Sequence, residues 1–376
     1  MSPAPTFSYL TDVFFGNGLA ASVGDICQQF QITRPLLVTD QGLVQLGMTE
    51  RIGLAPAAEF ADVETNPTES SVVRGVSVYR ESKCDGIVAL GGGSPIDCAK
   101  AISLLATHHE PLEQYAVIRG GLGLITADKP PLIAVPTTSG TGSEVGRAAL
   151  ITMNSGEKLG VISKYMIPTA AVCDPELTRD LPAQLTAATG MDAISHCVET
   201  FCSPKYNPVA DAIALDGLRR AWQALPRAVD RQDDIEARGE MMLASTEGAL
   251  AFQKGLGMIH SLSHPLGALA KPRLHHGTLN AVFLPHVIRY NSPECPDKIS
   301  AMAEIMGVPG AGPDVADAFA RLNARIGLPG TLGEMGVALE HLSAIPAAAM
   351  RDHSTPTNPR KMTEEDCRMV LEIALG

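Results

Sequence analysis

Near residue 180 the spacing of apolar residues changes, and that change restricts the chain to a two-part architecture. Before it, RPLLVTD (34–40), DGIVAL (85–90) and PLIAVPTT (131–138) read as short buried strands. LAASVGDICQQF (19–30), SSVVRGVSVYRESK (70–83) and PIDCAKAISLLATH (95–108) alternate with them at helical spacing. Strands alternating with helices fold into a parallel sheet covered on both faces. After DPELTRDLPAQLTAATG (174–190) the pattern is helical throughout: MDAISHCVETF, PVADAIALDGLRRAWQAL, IEARGEMMLASTEGALAF, GPDVADAFARLNARIG and TEEDCRMVLEIAL. The expected fold class is an α/β domain with a parallel sheet over residues 1–180, followed by an all-α domain over 181–376. A length of 376 residues supplies a core for each.

Charge and composition exclude several classes. Hydrophobic residues make up 45% and charged residues 19%, the balance of a folded soluble chain. A net charge of −12 repels nucleic acid and anionic membranes. No apolar run approaches the roughly eighteen residues of a membrane span. The opening MSPAPTFSYL has no basic stretch leading into an apolar one, so a cytoplasmic protein is expected. Eight scattered cysteines without a CxxC pair read as reduced thiols.

At 90–100 the sequence reads LGGGSPIDCAK, between a strand and a helix. Three consecutive glycines let the backbone turn sharply and approach a ligand closely. Ser94 is the expected N-cap and Pro95 the expected first helical residue, so the helix start offers amides and a positive dipole end to a pyrophosphate. Ile96 stands where a dinucleotide fingerprint has its third glycine, and no GK[ST] follows; the run taken alone also fits an ordinary strand-to-helix turn. Two further strand ends strengthen the ligand reading. PTTSGTGSE (136–144) is rich in hydroxyl and glycine residues, and VTDQG (38–42) ends in Asp40, an acid suited to ribose hydroxyls and repulsive to a 2′-phosphate. Three such features at strand ends favour a dinucleotide site.

GMDAISHCVE (190–199) places Asp192 and His196 four residues apart on one helical face, and HSLSHPLGALAKPRLHHG (260–277) holds His260, His264, His275 and His276. A carboxylate and three imidazoles suit Fe²⁺, Zn²⁺ or Mn²⁺ with a position open to a substrate oxygen. A helix cap and a polar stripe explain either pair equally well when it is taken alone.

In GGGSPIDCAK, PTTSGTGSE, the DPEL beginning at Asp174, GMDAISHCVE, HSLSHPLGA, HHGTLNAVFLPHVIRYN and STPTNPR (354–360), in that order, the chain resembles the iron-containing (group III) alcohol dehydrogenase family, a branch of the dehydroquinate synthase-like fold. The resemblance implies a dinucleotide-binding N-terminal domain, a helical C-terminal domain and an active site in the cleft between them. It implies metal ligands Asp192, His196, His260 and His276, with His264 lining the substrate pocket and relaying the hydroxyl proton. It implies NAD, its pyrophosphate held by Gly92, Gly93 and Ser94, with Thr137 and Thr138 beside it, Asp97 towards the nicotinamide, Lys158 near the ribose and Asp40 selecting NAD over NADP. His108, His109 and His286 inherit no role. The segment ALAKPRLHHG is about two residues longer than the family pattern and puts His275 where proline is usual, which leaves His275 as an alternative to His276. The expected activity is hydride transfer between NAD(H) and a small primary alcohol, diol or hydroxy acid. Alternatives are a polyol dehydrogenase or another dehydroquinate synthase-like enzyme, and a non-catalytic binding module. The stretch FSYLTDVFFG (7–16) is expected to pair across a homodimer or larger homo-oligomer.

Overall fold

The structure, a computed structural model, describes residues 9, 11–269, 271–308, 310 and 312–376. Two compact units form. One runs to Thr138 and resumes over Gly142–Asp180; the other takes Ser139–Thr141 and Leu181–Gly376.

The first unit is built on a parallel sheet of six strands: β1 (Asp12–Phe15), β2 (Pro35–Val38), β3 (Ala58–Phe60), β4 (Gly86–Gly91), β5 (Leu132–Pro136) and β8 (Ala170–Cys173), in the order β1-β8-β5-β4-β2-β3. Strands β2, β4, β5 and β8 are buried along their whole length, as apolar runs without alternation require in a sheet covered on both faces. Their side chains alternate between two cores. Leu36, Val38, Ile87, Ala89, Leu132 and Ala134 pack with residues of α3 (Glu69–Glu81) and α4 (Gly93–Leu105). Leu37, Val88, Leu90, Ile133 and Val135 pack with Val23, Ile26 and Cys27 of α1 (Val23–Gln29) on the other face. Complete burial of each such leucine, isoleucine or valine is worth about 1.5–3 kcal/mol. The DPEL aspartate closes the edge: Asp174 accepts the amides of Gly18, Ala20 and Glu176 at 3.1, 2.9 and 3.0 Å.

The parallel sheet agrees with the fold expected from sequence, which located β2, β4 and β5 but not the others. The missed hairpin of β6 (Ala148–Thr152) and β7 (Lys158–Ile162) is antiparallel and half-buried. A short helix, α2 (Gln41–Gln45), follows β2.

The second unit is helical, again as expected: α5 (Ala183–Cys202), α6 (Pro208–Asp230), α7 (Ile235–Ala251), α8 (Met258–Gly267), α9 (His276–Asn291), α10 (Pro296–Met306), α11 (Gly312–Arg325), α12 (Ile345–Arg351) and α13 (Glu364–Leu375). Helix α5 packs against α6, α7 and α9, and is buried at almost every position beyond Thr186. Small residues permit that approach: Ala187, Ala188, Gly190 and Ala193 on α5, and Ala210, Ala214, Gly217 and Ala221 on α6. Starts are capped where the sequence offers a cap. Asn207 accepts from Ala210 N, and Asp234 from Ala237 N, both at 3.0 Å. All eight cysteines are buried, and no disulfide joins any two of them. No helix among the described residues is long and apolar enough to cross a membrane.

Candidate functional site

Within the sheet unit, chain order reverses between β2 and β4. From β2 the chain moves to the β3 edge; from β4 it proceeds the other way through β5 to β8. In an open α/β sheet a ligand binds beyond the carboxyl ends of the strands at such a switch point. The carboxyl end of β2 leads to Asp40, that of β4 to Gly91–Gly93, and that of β5 to Thr137 and Thr138. Gly91 has φ +149, and a Cβ there would lie 2.5 Å from Pro95 Cγ, so the turn demands glycine. A Cβ on Gly92 would come 3.1 Å from Thr138 Oγ1. The Thr137 amide donates to the Gly91 carbonyl at 3.1 Å, which locks the two loops together.

The helix does not begin at Ser94. Gly92 is its N-cap with extended backbone, Gly93 its first residue, and the Ser94 hydroxyl instead accepts the Asn66 amide at 3.3 Å. With no capping side chain, the first amides of α4 are left to another acceptor. Asp40 caps α2, accepting from Leu43 N at 3.0 Å, and its backbone bridges to Asp62, which brings a second acid to the same edge. Lys158 Nζ donates to Asn66 Oδ1 at 2.7 Å.

The Asp97 carboxylate accepts the Ser143 hydroxyl at 2.5 Å and the Leu150 amide at 2.9 Å. Beside it the buried Lys100 donates to Ser143 Oγ and to the carbonyls of Gly146 and Ala148 at 2.7, 2.9 and 2.8 Å. Burial pushes the Lys100 ammonium down to about 8 against the pull of Asp97 and Glu144. This pair pins the segment from Ser143 to β6, a role with no sequence signal beyond helical spacing. His108 lies in the same unit, bonded to Leu104 O and Thr126.

In the helical unit three imidazoles converge on one carboxylate oxygen. His276, His196 and His260 hold Nε2 at 3.5, 3.7 and 3.8 Å from Asp192 Oδ1. Asp192, His196 and His260 each set a ligand atom within 4.8 Å of the others, a spacing that can hold a metal ion, and His276 Nε2 stands 3.5 Å from the same Asp192 oxygen. Helix α5 supplies Asp192 and His196 from one face, α8 supplies His260, and α9 opens with His276. His275 is the N-cap residue of α9, and the neighbouring His276 is the one whose Nε2 stands 3.5 Å from Asp192 Oδ1.

The carboxylates of the cluster draw positive charge towards it. Burial alone would raise Asp192, but His196, His276 and His260 hold it well below the usual carboxylate range. Burial drives His196 down to about 4 and so keeps its imidazole neutral. Burial would also lower His260, yet Glu199 and Asp192 carry it up to about 9. Glu199 Oε2 lies 2.5 Å from His260 Nδ1, which fixes a proton on Nδ1 and turns Nε2 towards Asp192. Glu199 Oε1 accepts the Ile259 amide at 2.6 Å, while Asn358 Oδ1 accepts the Met258 amide at 3.0 Å, so both cap α8. Asn358 is in turn paired with Asn291, and Thr357 bonds to the Leu256 carbonyl. Thus Thr357 and Asn358 of STPTNPR fasten the start of α8.

Besides Glu199, two groups near the cluster escaped the sequence reading. Asn280, one turn beyond His276, sets its amide nitrogen 2.8 Å from Asp192 Oδ1 and 3.3 and 3.2 Å from the Nε2 atoms of His260 and His276. Asp352, at the end of α12, lies 2.8 Å from His264 Nδ1. The i+4 spacing from His276 was a usable signal for Asn280; 88 residues separate Asp352 from His264, and none existed there.

Comparison with known proteins agrees with both halves. The profile of the family described as iron-containing alcohol dehydrogenase matches residues 11–175, and that of the Fe-containing alcohol dehydrogenase family, C-terminal, matches residues 186–375. The chain is 49% identical to a 4-hydroxybutyrate dehydrogenase of Cupriavidus necator, over 98% of this chain and 99% of that protein. It is 36% identical to an NAD-dependent methanol dehydrogenase of Bacillus methanolicus, over 96% and 97%. A crystal structure of a 1,3-propanediol oxidoreductase superposes with a TM-score of 0.92 at 38% identity, covering 99% of this chain and 100% of that one. A parallel sheet with its switch point, a helical unit with a carboxylate–imidazole cluster, and matches along nearly the whole sequence have one explanation: the chain belongs to the iron-containing alcohol dehydrogenase family and is an enzyme of that class.

Proposed function

We propose that the enzyme transfers a hydride between NAD(H) and a small primary alcohol, diol or hydroxy acid, using a divalent cation held by Asp192, His196, His260 and His276. The observation that carries this reading is the convergence of three imidazole Nε2 atoms on Asp192 Oδ1. Fe²⁺ is the expected ion, in line with the family, and Zn²⁺ and Mn²⁺ suit the same donors. When bound, the cation supplies Lewis acidity at the substrate oxygen and NAD supplies the hydride acceptor.

The remaining chemistry belongs to the chain. Asp192 provides the negative charge of the cluster, and Glu199 holds His260 in its ligating tautomer. His264 takes the hydroxyl proton when the alcohol is oxidised and returns it when the aldehyde is reduced. The sheet unit is assigned to the dinucleotide: Gly92, Gly93 and Ser94 at the start of α4 hold the pyrophosphate. Thr137 and Thr138 line the adjoining loop, and Lys158 approaches the ribose. Asp97 acts nearby through its hold on Ser143 and Leu150. Similarity to a 4-hydroxybutyrate dehydrogenase and a 1,3-propanediol oxidoreductase supports substrates with a second polar end. Oxidation of NADH by a panel of simple, hydroxylated and carboxylated short aldehydes, with metal content measured, tests the reading. No turnover at full metal occupancy would leave a binding module.

Asp40 sets the cofactor preference in this reading. Asp40→Gly is expected to narrow the NAD-over-NADP ratio at least tenfold, mainly by improving NADP, since about 1.4 kcal/mol of repulsion is removed per tenfold. The lost cap adds only a few tenths of a kcal/mol, because glycine is itself tolerated there. A wild-type enzyme that already used both cofactors equally would refute the assignment.

A cytoplasmic homodimer or larger assembly completes the proposal. Strand β1 is a sheet edge with Val13 and Phe15 39% and 42% exposed, an apolar edge that pairing would cover. Phe7, Ser8 and Leu10 of the expected interfacial stretch lie outside the described residues. Light scattering that shows a monomer at micromolar concentration would remove the assembly.

A further inference from the structure

We infer that Asp352 is a positioning residue for the proton relay, acting through His264; this rests on the reading of His264 given above. Asp352 Oδ2 lies 2.8 Å from His264 Nδ1, with both side chains 12% exposed. A carboxylate accepts from an N–H, so Nδ1 carries the proton and Nε2 the lone pair. Asp352 Oδ1 accepts the Ser354 amide at 2.8 Å, which fixes the carboxylate's rotation. The loop carrying it is bolted to the helix that carries His264: Ser261 Oγ on α8 and Thr355 Oγ1 are 2.8 Å apart. The imidazole plane is held too, because the rings of His276 and His353 lie at 9° and 20° to it with centroids at 5.4 Å.

A histidine so arranged accepts the substrate hydroxyl proton at Nε2. The resulting imidazolium is stabilised by Asp352, which stays ionised, and the proton passes from Nε2 to water. In the other direction Nε2 delivers it to the forming alcohol. His264, Asp352 and His353 also place three donor atoms within 4.8 Å of one another, the spacing of a cation site. The 2.8 Å contact, however, is a hydrogen bond, shorter than the tetrahedral separation of about 3.3–3.6 Å expected between metal ligands.

The test is a double-mutant cycle on the metal-loaded enzyme: His264→Ala, Asp352→Ala and both together, with Asp352→Asn as a variant whose side-chain oxygen can still accept the Ser354 amide. Asp352→Ala and Asp352→Asn are expected to lower kcat about 10–100-fold, to leave KM within about twofold, and to keep the wild-type metal content. In the His264→Ala background, loss of Asp352 is expected to change kcat by less than about twofold, since a residue acting only through His264 has nothing left to act on. Multiplicative losses in the double variant would overturn the inference, as would loss of a second metal equivalent from Asp352→Asn. A His264→Ala enzyme with undiminished kcat would bring down the relay reading and this inference together. A slow His264→Ala beside fully active Asp352 variants would bring down this inference alone.

Discussion

Purified His260→Ala is expected to carry little metal and to lose at least about a thousandfold in kcat/KM. The cation's stabilisation of a charged oxygen is worth several kcal/mol, and each 1.36 kcal/mol is a factor of ten. His276→Ala is expected to behave alike, because its Nε2 faces the same carboxylate oxygen at 3.5 Å. His264→Ala should keep the metal and lose about 10²–10⁴ in turnover, the usual worth of a positioned proton relay. His275→Ala should keep the metal and most of the activity, since the residue is exposed at the start of α9. Elemental analysis of the four proteins checks the set. Metal lost from His275→Ala but retained in His276→Ala would transfer the ligand role by one residue and refute the assignment.

Gly277→Ala is expected to remove the metal without touching a ligand. A Cβ at Gly277 would stand 2.1 Å from the Ala188 carbonyl oxygen and 3.3 Å from Asp192 Cβ. The first contact is with the backbone of α5, which no rotamer change relieves, so α9 must withdraw from α5 by roughly 1 Å. His276 withdraws with it, while Asp192 and His196 stay on α5. Overpacking of this kind costs about 1–3 kcal/mol, occasionally more. Thermal denaturation of metal-loaded and metal-stripped protein measures both losses. Full metal content and an unchanged melting temperature would show that the two helices are not held as tightly as the structure has them.

The position of Gly277 marks how far the sequence was legible. That glycine follows a histidine is visible in HHG; that it lies against Ala188, nearly ninety residues earlier, is a fact of packing. Strands β2, β4 and β5 were readable because a strand buried on both faces is a run of apolar residues, whereas the equally buried β8 is only four residues, AAVC, two of them alanine. Strand β3 has three residues, β1 belongs to an edge, and β6 and β7 alternate between half-buried and buried over only five residues each, so their periodicity is too short to stand out. Ser94 reads as a cap by residue type, but Gly91 carries the chain into α4 so tightly that helical geometry begins two residues earlier than expected, at Gly93. The histidines of the cluster were visible as spacing within α5 and α8; their convergence with α9 was not, since it depends on how three helices meet. Glu199 lay seven residues beyond Asp192 in plain view, yet only the fold shows that it faces His260 rather than solvent.

The Glu199 carboxylate divides its two oxygens between the backbone of α8 and the side chain of His260. Helix integrity and ion affinity are therefore one thermodynamic quantity seen from two ends. An ion that binds only when His260 is in register stabilises the first turn of α8 by RT ln(1 + [ion]/Kd), about 2.7 kcal/mol at a hundredfold excess over Kd. Stripping it returns that turn to the fluctuations of an ordinary helix end. The Ile259 amide should then exchange with solvent faster by up to about a hundredfold, which makes one backbone proton a gauge of occupancy.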